Sequence, residues 1–393
     1  MNLKTIYFLP FLVLLMASFI SCSKQEVKWV DKAIDVAEVQ LAKASKVYTP
    51  ENNPRSIYPN GTVRLTHIRD WTCGFFPGSL WYMYELTNNE SLKTEARRYT
   101  EALDSVQHFT YTHDLGFMLY CSYGNAYRIT GDEAYKNVLL QGAESLASRF
   151  SPQVGCIRSW DFGEWQFPVI VDNMMNLEYL CTTSQISGDS KFQEMAVSHA
   201  NKTMANHFRE DYSSYHVVSY DTITGNPIHK GTHQGYADET AWARGQAWGV
   251  YGYTMMYRKT KDQRYLEMAE KIAAFIMNLK NMPSDKIPYW DYNAPNIPNA
   301  PRDASAAAVT ASSLLELSTY VADGDKYFRY AEEVLKSLSS PAYLAEPGTN
   351  GFFILKHSVG ALPNDSEVDT PINYADYYYL EALVRYKNML NKK

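Results

Sequence analysis

The sequence predicts an all-α fold, an (α/α)6 toroid of six helical hairpins in a single domain, and three observations predict it. A turn phrase rich in Gly, Asn and Asp recurs along the chain, the helices on its two sides differ in kind, and each kind occurs six times. The turns are Leu86-Thr87-Asn88-Asn89, Ile129-Thr130-Gly131-Asp132, Ile186-Ser187-Gly188-Asp189, Lys259-Thr260-Lys261-Asp262 and Ala322-Asp323-Gly324-Asp325. Gly accepts the left-handed backbone that ends a helix, and the Asp after it can cap the next one. Each phrase is therefore expected to join two helices into a hairpin.

The helices after the turns carry apolar residues three and four apart, as in Tyr265, Met268, Ala269, Ile272, Ala273 and Ile276, with Lys and Glu between them. That pattern predicts one face in water. The helices before the turns contain stretches such as Met118-Leu119-Tyr120-Cys121, Met174-Met175-Asn176-Leu177 and Ala306-Ala307-Ala308-Val309, with little charge, and are expected to be buried all round. The buried kind begins near Cys73, Asp114, Asp172, Glu239, Ala304 and Tyr374, and residues 27–46 supply the first outer helix. Alternating inner and outer helices close into a double-layered toroid. No strand-rich segment marks a second domain, so residues 23–393 are read as one barrel; short β pieces are expected in the loops, notably Tyr215 to Tyr220.

The first 22 residues form a separate element. Lys4 precedes an apolar run from Ile6 to Ile20, followed by Ser21-Cys22 and then polar Ser23-Lys24-Gln25-Glu26. The run is too short and wrongly flanked to span a bilayer and reads as a secretory signal. Its end resembles a bacterial lipobox, in which Cys22 is acylated and becomes the mature N-terminus. The expectation is an exported lipoprotein, periplasmic or outer-membrane-anchored, that meets the membrane only through its anchor. The remaining Cys73, Cys121, Cys156 and Cys181 are even in number, in a compartment where disulfides persist. Their apolar helical surroundings and the absence of CxxC spacing favour buried free thiols.

A net charge of −6 with 46% hydrophobic residues is that of a soluble globular protein, without the basic excess that nucleic acid would require. The 31 Tyr and 8 Trp suit a cleft that stacks flat rings, and equally suit helix packing.

Polar residues that look out of place cluster at the loop entering each inner helix: Arg69-Asp70-Trp71, His113-Asp114, Asp172-Asn173, His233-Gln234 with Asp238-Glu239, Arg302-Asp303, and Asn373 with Asp376. In a toroid all six inner N-termini open on one mouth, where free N–H groups and helix dipoles favour an anion. Capping explains any one Asp taken alone. Capping does not require His113, His216, His233, Arg244, Trp71, Trp160 and Trp248 around them. Carboxylates to move protons, an Arg to neutralise charge and indoles to stack on rings point to acid–base chemistry on an anionic sugar. No HExxH, clustered His pair or EF-hand spacing predicts a metal, and no GxSxG elbow, phosphate-binding Gly loop or dinucleotide fingerprint predicts nucleophilic serine or cofactor chemistry.

Over nearly the whole mature chain the sequence resembles the unsaturated glucuronyl hydrolases of glycoside hydrolase family 88. The likeness rests on Trp71-Thr72-Cys73-Gly74-Phe75-Phe76-Pro77-Gly78, His113-Asp114-Leu115-Gly116-Phe117, Val171-Asp172-Asn173-Met174-Met175-Asn176-Leu177, and His233-Gln234-Gly235-Tyr236 leading to Trp242-Ala243-Arg244-Gly245-Gln246-Ala247-Trp248. The resemblance implies the same toroid and, as substrate, oligosaccharides that end in a 4,5-unsaturated uronic acid. It implies Asp172 as general acid and base and Asp114 as a second essential carboxylate. It matches His113, His216, Gln234, Arg244 and Trp248 to substrate-binding positions, with Trp71 and Trp160 as stacking walls. The implied chemistry is hydration of a vinyl ether, after which a hemiketal opens and expels the aglycone.

Two other readings stay open at this point. One is a hydrolase of unsaturated rhamnogalacturonan fragments from pectin, against which the paired His113-Asp114 argues; the other is a non-catalytic sugar-binding lipoprotein. The parent polysaccharide, the tolerance for sulfate and the oligomeric state are not legible. His229 and Lys230 could meet a sulfate on the second sugar, with solvated loop charge the preferred reading.

Overall fold

The computed structural model describes the backbone of residues 9–391 and the side chains of residues 28–391. Residues 1–8 and the side chains of residues 9–27 lie outside the described residues, and the lipobox expectation at Cys22 lies there with them. Among the described residues the helices alternate between two layers. The outer layer holds α1 (Leu9–Val47), α3 (Glu90–Glu101), α5 (Glu133–Ala147), α7 (Lys191–Asn206), α9 (Gln263–Met277) and α11 (Gly324–Leu338). The inner layer holds α2 (Phe75–Thr87), α4 (Asn125–Thr130), α6 (Leu177–Ser187), α8 (Ala243–Thr260), α10 (Ala304–Leu317) and α12 (Asn373–Leu390). Helix α12 packs against both α10 and α2, which closes the ring.

The expected difference between the layers is present in the burial. Helix α9 buries Tyr265, Leu266, Met268, Ala269, Ile272, Ala273 and Ile276 along one stripe, whereas nearly every residue of α10 is buried. Turn chemistry also acts as expected at four hairpins: Asn88, Gly131, Gly188 and Lys261 are left-handed, and Asn89, Asp132, Asp189 and Asp262 accept a backbone N–H two residues on. The fifth hairpin departs from the pattern. Helix α10 ends at Leu317, the Asp323 side chain makes no capping bond, and Gly324 opens α11. Glycine is needed at 324 because a Cβ there would lie 2.0 Å from the carbonyl oxygen of Ser318.

Three further differences bear on the mouth of the barrel. The fourth inner helix starts at Ala243 and not near Glu239, because buried Asp291 accepts Tyr236 N at 2.9 Å and the Thr240 hydroxyl at 2.8 Å and so holds the preceding residues as a loop. The second inner helix opens with a π-helical segment, Gly116–Gly124, before α4, and the third with a 3-10 segment, Val171–Asn176, before α6. Such departures from α geometry concentrate at functional positions. The β expectation at Tyr215 to Tyr220 is met by the strand Val217–Tyr220, the centre of an antiparallel sheet between Pro168–Ile170 and Pro227–Gly231. The ladder continues through Val171 N, which donates to the His216 carbonyl at 3.0 Å and sets His216 beside Asp172. Cys73, Cys121, Cys156 and Cys181 are all buried free thiols.

Candidate active site

A cleft of about 690 Å³ opens at the end of the barrel where the inner helices begin, and Trp71, His113, Asp114, Trp160, Asp172 and Gln234 all line it. These residues come from four different hairpins, so only closure of the toroid brings them together.

Asp172 is the second residue of the 3-10 segment and is 8% exposed. It was a candidate helix cap, yet its Oδ2 is buried and has no hydrogen-bond partner among the described residues. An unpaired buried carboxylate oxygen is costly unless a proton or a ligand uses it. Burial pushes the Asp172 carboxyl up to about 7; Arg244 acts against the rise, and the negative charge of Asp114 adds to it. The Trp248 indole N–H acts in the same sense as Arg244, without forming a full hydrogen bond.

His216 stands behind Asp172, its Nε2 3.7 Å from Asp172 Oδ2. Its Nδ1 accepts the backbone N–H groups of His233 at 3.0 Å and Gln234 at 3.2 Å. Two donors on Nδ1 require a lone pair there, so the ring proton sits on Nε2 and points toward Asp172. Burial holds the imidazole well below its usual range, assisted by His233 and Arg244, and it stays neutral.

Asp114 precedes the π-helical segment and is also no cap. Its Oδ2 accepts the Thr112 hydroxyl at 2.7 Å and its Oδ1 lies 3.3 Å from His113 Nε2. Burial lowers the His113 imidazole, partly offset by Asp114. The result is one carboxyl pushed up toward neutrality beside another that is served by hydrogen-bond donors.

Trp160 stacks on Phe162, ring centroids 5.0 Å apart at 14°, and lies 5.4 Å from the His233 ring. Trp71 packs 5.2 Å from Tyr374 at 30°. Gln234 donates to the Gly360 carbonyl at 3.2 Å and thereby ties the His233 loop to the loop that carries Ala361 and Asn364 into the cleft.

Arg244 and Trp248 do not line the cleft. The Arg244 guanidinium is 1% exposed and engages Asp303 at 3.0 Å, the Gly360 carbonyl at 2.6 Å and the Val359 carbonyl, while it lies over the Trp242 ring. Trp248, also 1% exposed, packs against Phe117 and Tyr378 beneath the floor. Both act on the site from behind. His229 packs against Trp165 with the rings 5.2 Å apart and tilted by 37°, and Lys230 lies over Tyr215 outside the cleft, in keeping with the solvated reading.

Sequence reasoning passed over several residues. Asp303 was read as a cap; its Oδ1 does cap Ser305 N at 3.0 Å, but its Oδ2 also fixes Arg244. Thr112 and Phe162 line the cleft as well, beside Arg69 of the Arg69-Asp70-Trp71 cluster. Trp160-Asp161-Phe162, two aromatics two apart in a polar loop, was the one available signal for Phe162.

The family model described as Glycosyl Hydrolase Family 88 matches residues 42–388. A solved unsaturated glucuronyl hydrolase specific for heparin is 60% identical, with a TM-score of 0.92, covering 93% of this chain and 98% of its own. An unsaturated glucuronyl hydrolase of Formosa agariphila is 45% identical over 94% of each chain. An unsaturated chondroitin disaccharide hydrolase of Streptococcus agalactiae is 32% identical over 91% of each. With a toroid whose mouth gathers the paired carboxylates that the sequence singled out, the chain belongs to glycoside hydrolase family 88.

Proposed function

We propose that the cleft removes a 4,5-unsaturated uronic acid from the non-reducing end of lyase-generated glycosaminoglycan oligosaccharides by hydrating the double bond, with Asp172 as acid and then base. The observation that carries this reading is the state of Asp172: a carboxyl of the cleft lining that burial pushes up to about 7, with an Oδ2 unpartnered among the described residues and a second acidic residue, Asp114, in the same lining. A carboxyl raised by burial in a cleft beside a second acidic residue marks a candidate acid. Asp172 gives its proton to C4 of the vinyl ether, and the electron pair of the double bond forms the new C–H bond. Positive charge shared between C5 and the ring oxygen then accepts a water, whose proton returns to the Asp172 carboxylate. The hemiketal at C5 opens, and the hemiacetal left at C1 expels the aglycone. Because the glycosidic bond is not displaced directly, carboxylate separation does not report retention or inversion.

Asp114, hydrogen-bonded by Thr112 and near His113, stabilises the positive charge that develops. Trp160 and Trp71 offer faces to the sugar rings. The names of the relatives support the glycosaminoglycan class, and membership of family 88 favours it over the pectin-fragment and sugar-binder readings. Among parent polymers we favour heparin, since the heparin-specific hydrolase is 60% identical and the chondroitin disaccharide hydrolase 32%. A panel of unsaturated disaccharides from heparin, chondroitin, hyaluronan and pectin, followed by loss of ultraviolet absorbance, tests this. Fastest decay on the heparin disaccharides supports it, and decay on pectin fragments alone contradicts it.

The N-terminal segment supports export and lipidation at Cys22, with the enzyme outside the cytoplasm and anchored by lipid. Cys22→Ser should shift the protein from the membrane fraction to the soluble one; unchanged membrane association contradicts the assignment.

A further inference from the structure

We infer that Asn176, buried behind the cleft wall, is a positioning residue that fixes the tautomer of His113 and, through it, the hydrogen bond offered to Asp114. The inference rests on the proposed roles of Asp114 and Asp172. Asn176 closes the 3-10 segment that carries Asp172 and is 0% exposed. Its Oδ1 accepts Gly116 N at 2.8 Å, from the first residue of the π-helical segment behind Asp114. A backbone N–H can only donate, so the side-chain oxygen must face Gly116 and the amide nitrogen must face the other way.

That nitrogen has two hydrogens and two neighbours. Nδ2 donates to Asn173 Oδ1 at 2.9 Å and lies 3.3 Å from His113 Nδ1. The orientation of Asn173 is fixed independently, because its own Nδ2 donates to the Ile157 carbonyl at 2.8 Å, a group that can only accept. The relay therefore has one direction. Asn176 Nδ2, aimed at His113 Nδ1, favours the lone pair on Nδ1 and the proton on Nε2, against the pull of the Asn173 side chain, which favours a ring N–H on its own side; Nε2 lies 3.3 Å from Asp114 Oδ1. The opposite tautomer would set two N–H groups against each other at Asn176 and a lone pair against the Asp114 carboxylate. Burial keeps the imidazole neutral, so the tautomer decides what Asp114 receives.

The amide also sets spacing. A Cβ on Gly116 would lie 2.4 Å from Asn176 Oδ1 and 2.9 Å from its Cα, so the segments bearing Asp114 and Asp172 touch through Gly116 and Asn176. One side chain thus couples the two non-α helix starts that hold the two carboxylates.

The test reads histidine ring nitrogens by long-range ¹H–¹⁵N NMR, with His113 assigned by its loss in His113→Gln, alongside steady-state kinetics. In the wild type His113 should show a protonated Nε2 and a bare Nδ1. Asn176→Asp keeps an acceptor for Gly116 but removes both donors; His113 should then invert to the Nδ1–H form, and kcat should fall roughly 10- to 100-fold with KM changed by less than about 3-fold. A wild-type His113 protonated on Nδ1 overturns the inference whether or not any variant folds. So does Asn176→Asp with wild-type kcat. Failure of the proposed function is seen separately, as a wild-type protein that hydrates no unsaturated uronide while the His113 spectrum is unaffected.

Discussion

His216 Nε2 lies 3.7 Å from Asp172 Oδ2, and neither atom has a hydrogen-bond partner among the described residues. The gap is longer than a hydrogen bond, and both atoms are shut off from solvent. His113 Nε2 and Asp114 Oδ1 are closer, at 3.3 Å, within reach of a hydrogen bond. In each pair a neutral imidazole, with its far nitrogen bonded by amide donors, aims Nε2–H at a carboxyl. The site is thus two His–Asp pairs of different burial, His216–Asp172 inside and His113–Asp114 nearer the opening.

His216 also organises the loop above it. His216→Ala leaves the N–H groups of His233 and Gln234 without their acceptor and releases Gln234 from its position. We expect kcat/KM to fall roughly 10²-fold and stability to fall by roughly 2–4 kcal/mol. Steady-state kinetics with thermal melts check this; unchanged kinetics would rule out the arrangement.

Protonation of Asp172 has a thermodynamic sign. Its carboxyl is raised from 3.8 to about 7 in the fold, so between those values the folded state holds a proton that the unfolded chain has lost. Stability must therefore fall as pH rises through that window, by up to roughly 4 kcal/mol from this group. Asp376, buried and also raised to about 7, contributes in the same sense but is common to wild type and variant. Asp172→Asn should melt above the wild type at about pH 7, with the difference closing toward about pH 4. A difference independent of pH contradicts the raised carboxyl.

The toroid was legible because its signal is periodic: the turn phrase and the alternation of two helix kinds repeat, and no single error could hide them. The mouth was legible for the same reason, since topology alone places Asp114 and Asp172 together. The reach of individual side chains between elements was not. Arg244 was matched to a substrate-binding position, but it faces Asp303 and the carbonyls of Val359 and Gly360, partners more than fifty residues away in sequence. Asp303 looked like a cap because one oxygen is one. The π and 3-10 starts of two inner helices left no trace in the apolar pattern, and neither did the close contact between Gly116 and Asn176 that joins them across hairpins.

Placing Arg244 behind the cleft has its own consequence. Arg244→Ala leaves the buried Asp303 carboxylate without its cation, which costs roughly 3–5 kcal/mol. Arg244→Lys cannot serve Asp303 and both carbonyls at once and should recover only part of that. Urea unfolding of the two variants checks this. Wild-type stability in Arg244→Lys, with only KM raised, would instead make Arg244 a substrate contact alone.

The central claim is that Asp172 supplies the proton to the double bond, and the most direct measurement is the decay of the unsaturated uronate's ultraviolet absorbance on a heparin-derived disaccharide. Wild-type enzyme should remove the band, with the rate falling as pH rises past about 7, where the Asp172 proton is lost. Asp172→Asn, folded and at least as stable, should leave the band standing, slower by roughly 10³-fold or more. Decay at the wild-type rate in Asp172→Asn would contradict the assignment of the acid.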